Sequence, residues 1–273
     1  MEICNSPATS PHDLNRVIAL DPVLTGQVLK LVNSAYYGLR NKVTALPRAI
    51  IMLGMNTIKN LAVSSAILNT MSDEDSFQAL DMEEFWFHSL STAVAAKWLA
   101  SAGGVAAEDR EDYFVGGLLH DLGKIPLNNL YPDEYRQIMA EVTETGGDLC
   151  ERERTALGVD HMQVGSMIAE KWKLGEIMED CLRCHHETWQ SREQSIAIVR
   201  TVALADLCAK RFGAGNAGGS PYDENAMENL SRILGLDQVG LDELEPIMAD
   251  EVEKARVFLN LTKNNDLEGG SEQ

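Results

Sequence analysis

Apolar residues recur at helical spacing in segment after segment of this chain, and signals for β-strands are nearly absent. The spacing is clear in two runs: Val28, Leu29 and Val32, and then Ile58, Leu61, Ala62 and Ser65. The pairs Asp21-Pro22 and Leu46-Pro47 mark two helix starts, because a proline in the first turn loses no helical hydrogen bond. We therefore predict an all-α fold.

Polar segments divide the helical pattern into parts, and a length of 273 residues fits either two subdomains or one elongated domain. Residues 72–76 form a polar break, so we predict an N-terminal helical subdomain over residues 1–76, packed on a second helical subdomain over residues 77–261. Residues 262–273 offer little apolar material to bury and are predicted to form a disordered tail. The glycine-rich stretch 213–220 is predicted to be a surface loop.

The balance of charges limits the partners of the protein. A formal charge of −19 opposes a broad grip on nucleic acid, since phosphate binding needs a basic surface. Acidic segments such as 108–112 are predicted to be solvated surface. No apolar run reaches the roughly 18 to 20 residues that cross a bilayer, and the N-terminus does not resemble a signal peptide, so we predict no membrane partner and a cytoplasmic location.

Histidines are concentrated in the middle of the chain. Five of the six lie near helix ends or apolar faces: His88, His120, His161, His185 and His186. Taken singly, each is more often a structural histidine than a ligand, but two carboxylates change the interpretation. Asp206 would lie alone in an apolar helix, where an unpaired charge is costly, so it needs a cation nearby.

A histidine and an aspartate also stand side by side. His120 and Asp121 end an apolar helix, and Gly123 lets the backbone turn there, so that both side chains can converge. Imidazole and carboxylate are the ligands favoured by zinc, iron and manganese. Five histidines and two carboxylates are too many for one tetrahedral ion and fit two ions bridged by Asp121.

Two sets of motifs resemble known families. His88, the segment 116–124 around His120-Asp121, and Asp206 resemble the HD phosphohydrolase superfamily. The N-terminal motifs resemble the HDOD family, a signalling-associated branch of that superfamily, and they lie in segments 21–35, 37–38 and 49–54. The resemblance extends over about residues 3 to 210 and implies an N-terminal HDOD subdomain packed on an HD-like, metal-binding one. The usual opening helix looks shortened, so we expect a chain that begins late or is a fragment.

A third resemblance concerns the ligands themselves. His161 and His185-His186-Glu187 resemble further ligands of the HD-GYP branch, whose members cleave cyclic di-GMP at a centre of two or three metal ions, often iron. It implies one ion held by His88, His120, Asp121 and Asp206, and another held by Asp121, His161, His185 and His186. The cofactors implied are two divalent ions, iron first, with manganese or zinc as alternatives. The GYP segment of that branch is replaced by residues 188–192, which weighs against cyclic di-GMP hydrolysis.

Asp121 and Lys124 are the candidate catalytic residues if phosphoester chemistry occurs. Asp121 would bridge the ions that activate water, and Lys124 would balance the charge on the phosphate. Lys124 has an equal alternative as an exposed lysine near the carbonyls of a helix end. Glu187 either orients a ligand histidine or is solvated.

The cysteines are odd in number and irregularly spaced, which predicts reduced thiols: Cys4, Cys150, Cys181, Cys184 and Cys208. Cys181, Cys184 and His185 match the spacing of covalent haem attachment, but that chemistry needs export, so we do not predict it.

Three functions remain open. HDOD proteins are generally regarded as regulatory, many have lost their metal ligands, and no catalytic activity is agreed for them. The resemblance therefore implies first a signal-transduction protein with protein partners. A metal-dependent phosphohydrolase or phosphodiesterase with a nucleotide ligand is the second expectation, because the ligand residues are intact here. An iron-based redox or oxygen sensor is the third.

Overall fold

The computed structural model describes residues 10–71, 79–219, 222–236 and 238–259. The N-terminal part contains four helices: α1 (Pro11–Ile18), α2 (Pro22–Val32), α3 (Leu46–Leu53) and α4 (Met55–Met71). Ser10 and Asp21 cap α1 and α2 with their side chains, and a proline lies in the first turn of α1, α2 and α3. The predicted helix starts at Asp21-Pro22 and Leu46-Pro47 are confirmed.

The rest of the described chain is also helical. Its helices are α5 (Met82–Ala102), α6 (Arg110–Leu119), α7 (Lys124–Leu130), α8 (Pro132–Thr145), α9 (Leu149–Leu157), α10 (His161–Trp172), α11 (Glu176–Cys184), α12 (Ile196–Arg211), α13 (Glu224–Leu234) and α14 (Gln238–Ala255). Two short 3₁₀ turns, Thr188–Gln190 and Glu193–Ser195, connect α11 to α12. No strand occurs among the described residues, so the all-α prediction is confirmed.

The long helix α5 is central to the second part of the protein and packs against α6, α12 and α14. Its buried residues lie nearly all round the helix, including Phe85, Leu90 and Ala93, as expected for a helix enclosed by others. The three elements that carry His88, His120 and Asp206 are thus direct neighbours. This packing directs their side chains into one interior region.

The two parts meet where α4 packs on α6. Tyr37, from the N-terminal part, donates a hydrogen bond of 3.3 Å to Glu111 at the start of α6. Lys97 on α5 forms an ion pair with the same carboxylate. Glu111 is therefore buried, and the prediction that segment 108–112 is solvated surface is wrong at this residue.

One continuous core joins both parts, from Leu14 in α1 to Leu259 after α14. The predicted break at residues 72–76 and the predicted tail at residues 262–273 lie outside the described residues. The division into subdomains 1–76 and 77–261 accordingly stays a prediction.

Within the described segments, no single helix is both long enough and apolar enough to cross a membrane. The helices Leu46–Leu53 and Met55–Leu68 reach that limit only when they are counted together, and they are bent by 120°.

Candidate metal centre

The first group of candidate ligands gathers His88 from α5, His120 from the end of α6 and Asp206 from α12. All three side chains are buried, and one ligand atom from each lies within 4.8 Å of the others. His88 Nε2 is 3.0 Å from Asp206 Oδ1, and His120 Nε2 is 3.8 Å from the same oxygen. His120 Nδ1 donates to Gly117 O at 2.7 Å, so the Nε2 lone pair is available for a metal ion.

The second group consists of Asp121, His161, His185 and His186. Asp121 Oδ1 lies 3.6 Å from His161 Nε2 and 3.5 Å from His185 Nε2, and these two nitrogens are 3.4 Å apart. His185 Nδ1 donates to Cys181 O at 3.1 Å, which leaves its Nε2 toward the group. The His186 ring lies 4.2 Å from that of His185 and is only partly buried.

Two lysines bind the carboxylates of the groups. Lys124 Nζ donates to Asp121 Oδ2 at 2.7 Å, and Lys210 Nζ donates to Asp206 Oδ2 at 2.8 Å. In both aspartates the other oxygen, Oδ1, is directed toward histidines. Each lysine thus orients one carboxylate and balances part of its charge in the buried site.

Four buried ligand atoms lie close to one another, at 3.0 Å for His88 Nε2 and Asp206 Oδ1, but make no well-aligned hydrogen bond among the described residues: His88 Nε2, His120 Nε2, Asp121 Oδ1 and Asp206 Oδ1. Buried polar atoms are nearly always paired, so each unpaired one calls for an explanation. A divalent cation among them would satisfy imidazole nitrogens and carboxylate oxygens together. The donor set of the centre fits a divalent metal.

Burial also sets the protonation of the centre. It lowers the pKa of His88 and of His186, and it lowers the pKa of His185 to about 4, so these rings are neutral near pH 7 and able to bind a metal. Burial would raise the pKa of both Asp121 and Asp206. Neighbouring positive charges outweigh it and hold both pKa values well below the usual range, so the carboxylates are ionised.

His161 differs from the other histidines because Glu153, a carboxylate outside the two ligand groups, faces its second ring nitrogen. Burial alone would lower its pKa, but Glu153 Oε2, 2.6 Å from Nδ1, raises the pKa of His161 to about 10. Glu153 in turn accepts a hydrogen bond of 2.7 Å from the Tyr135 hydroxyl. Sequence reasoning missed both residues.

The segment 213–219 lies across the centre. Lys124 Nζ donates to Gly218 O at 2.8 Å, which connects the second ligand group to this segment. Gly215 approaches α5 so closely that a Cβ atom would lie 2.4 Å from His88 N, so only glycine fits there. The stretch predicted to be a surface loop therefore packs against the backbone of α5 at His88 and against Lys124, while residues 213 and 216 remain exposed.

Comparison with known proteins agrees with this fold. The family model of the HDOD domain matches residues 1–188. The chain belongs to the HDOD family. An HDOD domain protein of unknown function from Geobacter sulfurreducens is 26% identical, and its crystal structure matches with a TM-score of 0.75 over 94% of this chain and 88% of the other.

Other relatives extend the comparison. A candidate phosphohydrolase from Shewanella amazonensis SB2B shares the fold at 22% identity, with a TM-score of 0.74 over 95% of this chain and 90% of the other. A candidate signal transduction protein from Marinobacter aquaeolei VT8 does so at 20%, with a TM-score of 0.71 over 96% of this chain and 57% of the other. An uncharacterized protein from Treponema pallidum (strain Nichols) is 25% identical over 226 residues, which are 83% of this chain and 42% of that protein. The chain thus spans less than half the length of this relative.

In this HDOD protein, the structure brings all the predicted ligands into the two neighbouring groups: His88, His120 and Asp206 in one, and Asp121, His161, His185 and His186 in the other. The groups are adjacent, since His120 Nε2 lies 3.3 Å from Asp121 Oδ2. The identity and number of the bound ions stay predictions.

Lys124 is placed differently from either predicted environment. It is 1% exposed, so the alternative of an exposed lysine at a helix end is wrong. Its ammonium donates to Asp121, to Gly218 O and, at 3.3 Å, to Ala217 O. These contacts use all three donors, and a role at a phosphate would require the lysine to leave them.

The reason why glycine is required at position 123 also differs from the predicted one. Its φ of −65° is open to any residue, so the turn after Asp121 does not require glycine. A Cβ atom at this position would lie 1.9 Å from His161 O. The close approach of α10 requires the glycine.

Some predicted features lie apart from the ligand atoms. Glu187 accepts a hydrogen bond from Gln190, and no contact with a ligand histidine is seen among its described interactions. Cys181 and Cys184 are buried and free, and His185 beside them faces the ligand groups, which does not suit haem attachment. Reduced thiols are confirmed for the described cysteines, whereas Cys4 lies outside the described residues.

Proposed function

We propose that this HDOD protein is a metal-binding regulatory protein of signal transduction, which holds two divalent ions between its ligand groups. The observation that carries the proposal is the set of four buried, unpaired ligand atoms, two from imidazoles and two from carboxylates. Buried polar atoms without a hydrogen bond are costly, and a bound cation would satisfy all four of these atoms together. Iron is the first candidate, with manganese and zinc as alternatives.

The proposed assignment follows the two groups. His88, His120, Asp121 and Asp206 would hold one ion, and Asp121, His161, His185 and His186 would hold the other. Asp121 is shared because it lies between the groups, near both His120 and His161. A pair of such ions supplies Lewis-acid activation of water and of phosphoryl oxygens.

The closed character of the centre favours regulation over turnover. Of the proposed ligands, only His186 is more than slightly exposed. Lys124 is fully engaged by Asp121 and by the carbonyls of segment 213–219, which also packs against the backbone at His88. A substrate phosphate would have to displace these contacts, whereas a metal ion would not.

A regulatory role also needs a route to a partner. Helix α6 ends at the ligands His120 and Asp121 and begins at Glu111, which contacts the N-terminal part through Tyr37. We propose that the N-terminal part contacts signalling proteins; the Marinobacter aquaeolei protein of the same fold is named a candidate signal transduction protein. The occupancy of the metal centre would then affect that surface through α6.

Metal content tests the proposal directly. Protein purified without a histidine tag and without added metal is analysed by elemental analysis, beside His120→Ala/Asp121→Ala and the control His12→Ala/Asp133→Ala. The control removes the same two residue types from exposed positions. We expect about two equivalents in the wild type and in the control and a loss of both in the first variant. Well-folded, metal-free wild-type protein would refute the proposal.

A phosphohydrolase is the second candidate, and the complete double ligand set with a shared Asp121 favours it. The Shewanella amazonensis protein of the same fold is named a candidate phosphohydrolase. The metal-loaded wild type is incubated with nucleotides and cyclic dinucleotides, beside Asp206→Asn, which removes one ligand charge with little change in shape. Hydrolysis products, separated by chromatography, that form with the wild type but not with this variant would support an enzyme; no product from the wild type would leave the regulatory function.

A further inference from the structure

His161 offers its two ring nitrogens to different partners. Nε2 faces the ligand group, 3.6 Å from Asp121 Oδ1 and 3.4 Å from His185 Nε2. Nδ1 faces Glu153 Oε2 at 2.6 Å. Since a carboxylate accepts hydrogen bonds, it holds a proton on Nδ1, so a metal ion that binds this ring takes the place of the proton on Nε2.

Glu153 is itself held on every side. It is fully buried, its Oε2 also accepts the backbone N–H of His161 at 2.9 Å, and its Oε1 accepts the Tyr135 hydroxyl at 2.7 Å. The carboxylate belongs to α9, whereas His161 begins α10 and Tyr135 lies on α8. Three helices thus fix the orientation of one imidazole.

Cys150, Glu153 and His161 are also close enough to hold a metal ion by themselves. The contacts of Glu153 oppose that assignment, because both of its oxygens are engaged and Nδ1 of His161 faces it. Cys150 Sγ is farther away, at 3.9 Å from the same nitrogen. The arrangement is that of a carboxylate which orients a ligand histidine.

The two ligand groups differ in charge as a result. Asp206, the carboxylate of the first group, is hydrogen-bonded to Lys210, whose positive charge offsets it and also acts on His186 of the second group. The second group gains the negative charge of Glu153 through His161. Asp121 and its partner Lys124 lie between the groups, so their charges act on both groups and do not make one differ from the other.

We infer that Glu153, held by Tyr135, is a positioning residue that fixes His161 as an Nε2 ligand and makes the second group the tighter of the two metal positions. This inference rests on the proposed two-ion function. The carboxylate acts through the imidazole, which it orients and makes more basic. The protein then retains one ion firmly and exchanges the other.

The test is a calorimetric titration of metal-free protein with Zn²⁺. Glu153→Gln is compared with Glu151→Gln, which removes the same charge from an exposed position on the same helix. We expect the tighter of two binding steps to weaken by about 10- to 100-fold in Glu153→Gln, while the other step and the Glu151→Gln control match the wild type. Tyr135→Phe should weaken the tighter step by a smaller factor of about two to ten.

An NMR measurement distinguishes a positioning role of Glu153 from an effect on folding alone. In the Zn²⁺-loaded wild type, the long-range ¹H–¹⁵N spectrum of the histidine rings should show His161 with a far-downfield Nδ1 proton. Loss of the carboxylate should move that proton upfield while the other ring signals stay in place. If Glu153→Gln does not fold, Tyr135→Phe is used instead; it keeps the carboxylate at Nδ1 and should therefore change the position of that proton by a smaller amount.

Three results would overturn the inference. If Glu153→Gln folds and its tighter Zn²⁺ step stays within threefold of the wild-type affinity, Glu153 has no role in positioning His161, and the two-ion function is not affected. A loss in Cys150→Ser as large as that in Glu153→Gln would mean that Cys150, Glu153 and His161 bind an ion themselves. Wild-type protein that takes up no Zn²⁺ would refute the proposed function and this inference together.

Discussion

At the scale of single residues, the centre is defined by the groups that balance its buried charges. Asp121 and Asp206 each direct Oδ1 toward histidines and accept a hydrogen bond from a lysine at Oδ2, and Oδ2 of Asp121 also lies near His120. Lys210 stands four residues after Asp206 on α12, so helical spacing could have predicted this pair from the sequence. Glu153 could not be predicted in this way, because it lies among charged residues that resemble a solvated helix face.

The pair of Lys124 and Asp121 leads to a prediction about stability. Asp121→Ala leaves a buried ammonium without its carboxylate, so we expect metal-free protein to lose about 3 kcal/mol of unfolding free energy. The added change Lys124→Met should restore a large part of that loss, because it removes the unpaired charge. Urea unfolding in the presence of a chelator measures both.

An exposed pair provides the control. Asp133 pairs with Arg136 three residues later at 2.8 Å, and both side chains are more than half exposed. Asp133→Ala should therefore cost less than about 1 kcal/mol. Equal losses for the two aspartates would show that the Lys124–Asp121 pair has no special importance for the fold.

At the scale of helices and loops, the position of the centre depends on how closely the chain can approach itself. The sequence predicted the helical class, two helix starts and a helix end at His120, since these depend on local patterns. It did not predict the burial of Lys124 under segment 213–219 or the burial of Glu111. Both depend on contacts between residues far apart in the sequence.

Gly123 allows a prediction at this scale. In Gly123→Ala the new methyl group would meet the carbonyl of His161, and relief would require α10 to move with its ligand. We expect a loss of at least about 1–3 kcal/mol of unfolding free energy, together with weaker metal binding. Urea unfolding and a Zn²⁺ titration measure the two effects.

Gly26→Ala is the matched control for that change. Gly26 is exposed on α2 and a Cβ atom there would meet no atom within 4 Å. The change should raise the unfolding free energy by up to about 1 kcal/mol, because alanine favours the helix, and metal binding should not change. If Gly123→Ala behaved in the same way, the close approach would not be what requires glycine.

At the scale of the whole molecule, the helices of both parts share one core and an interface built of polar contacts. Tyr37 and Asn60 of the N-terminal part donate to Glu111 and Asp112 at the start of α6, with distances of 3.3 and 2.7 Å. The end of the same helix carries His120 and leads into Asp121. A single helix, α6, thus connects the metal centre to the N-terminal part.

This continuity leads to a prediction about cooperativity. If the shared core unfolds as one unit, a metal ion that binds only the folded protein stabilises every helix by the same amount. We expect a free Zn²⁺ concentration 100 times the Kd to raise the unfolding free energy by about 2.7 kcal/mol. Hydrogen exchange should show this rise for core amides of α4 as well as of α12, although α4 contributes none of the proposed ligands. Protection that rises in α12 alone would mean that the two parts unfold separately. Metal binding at the centre would then not change the stability of the N-terminal part.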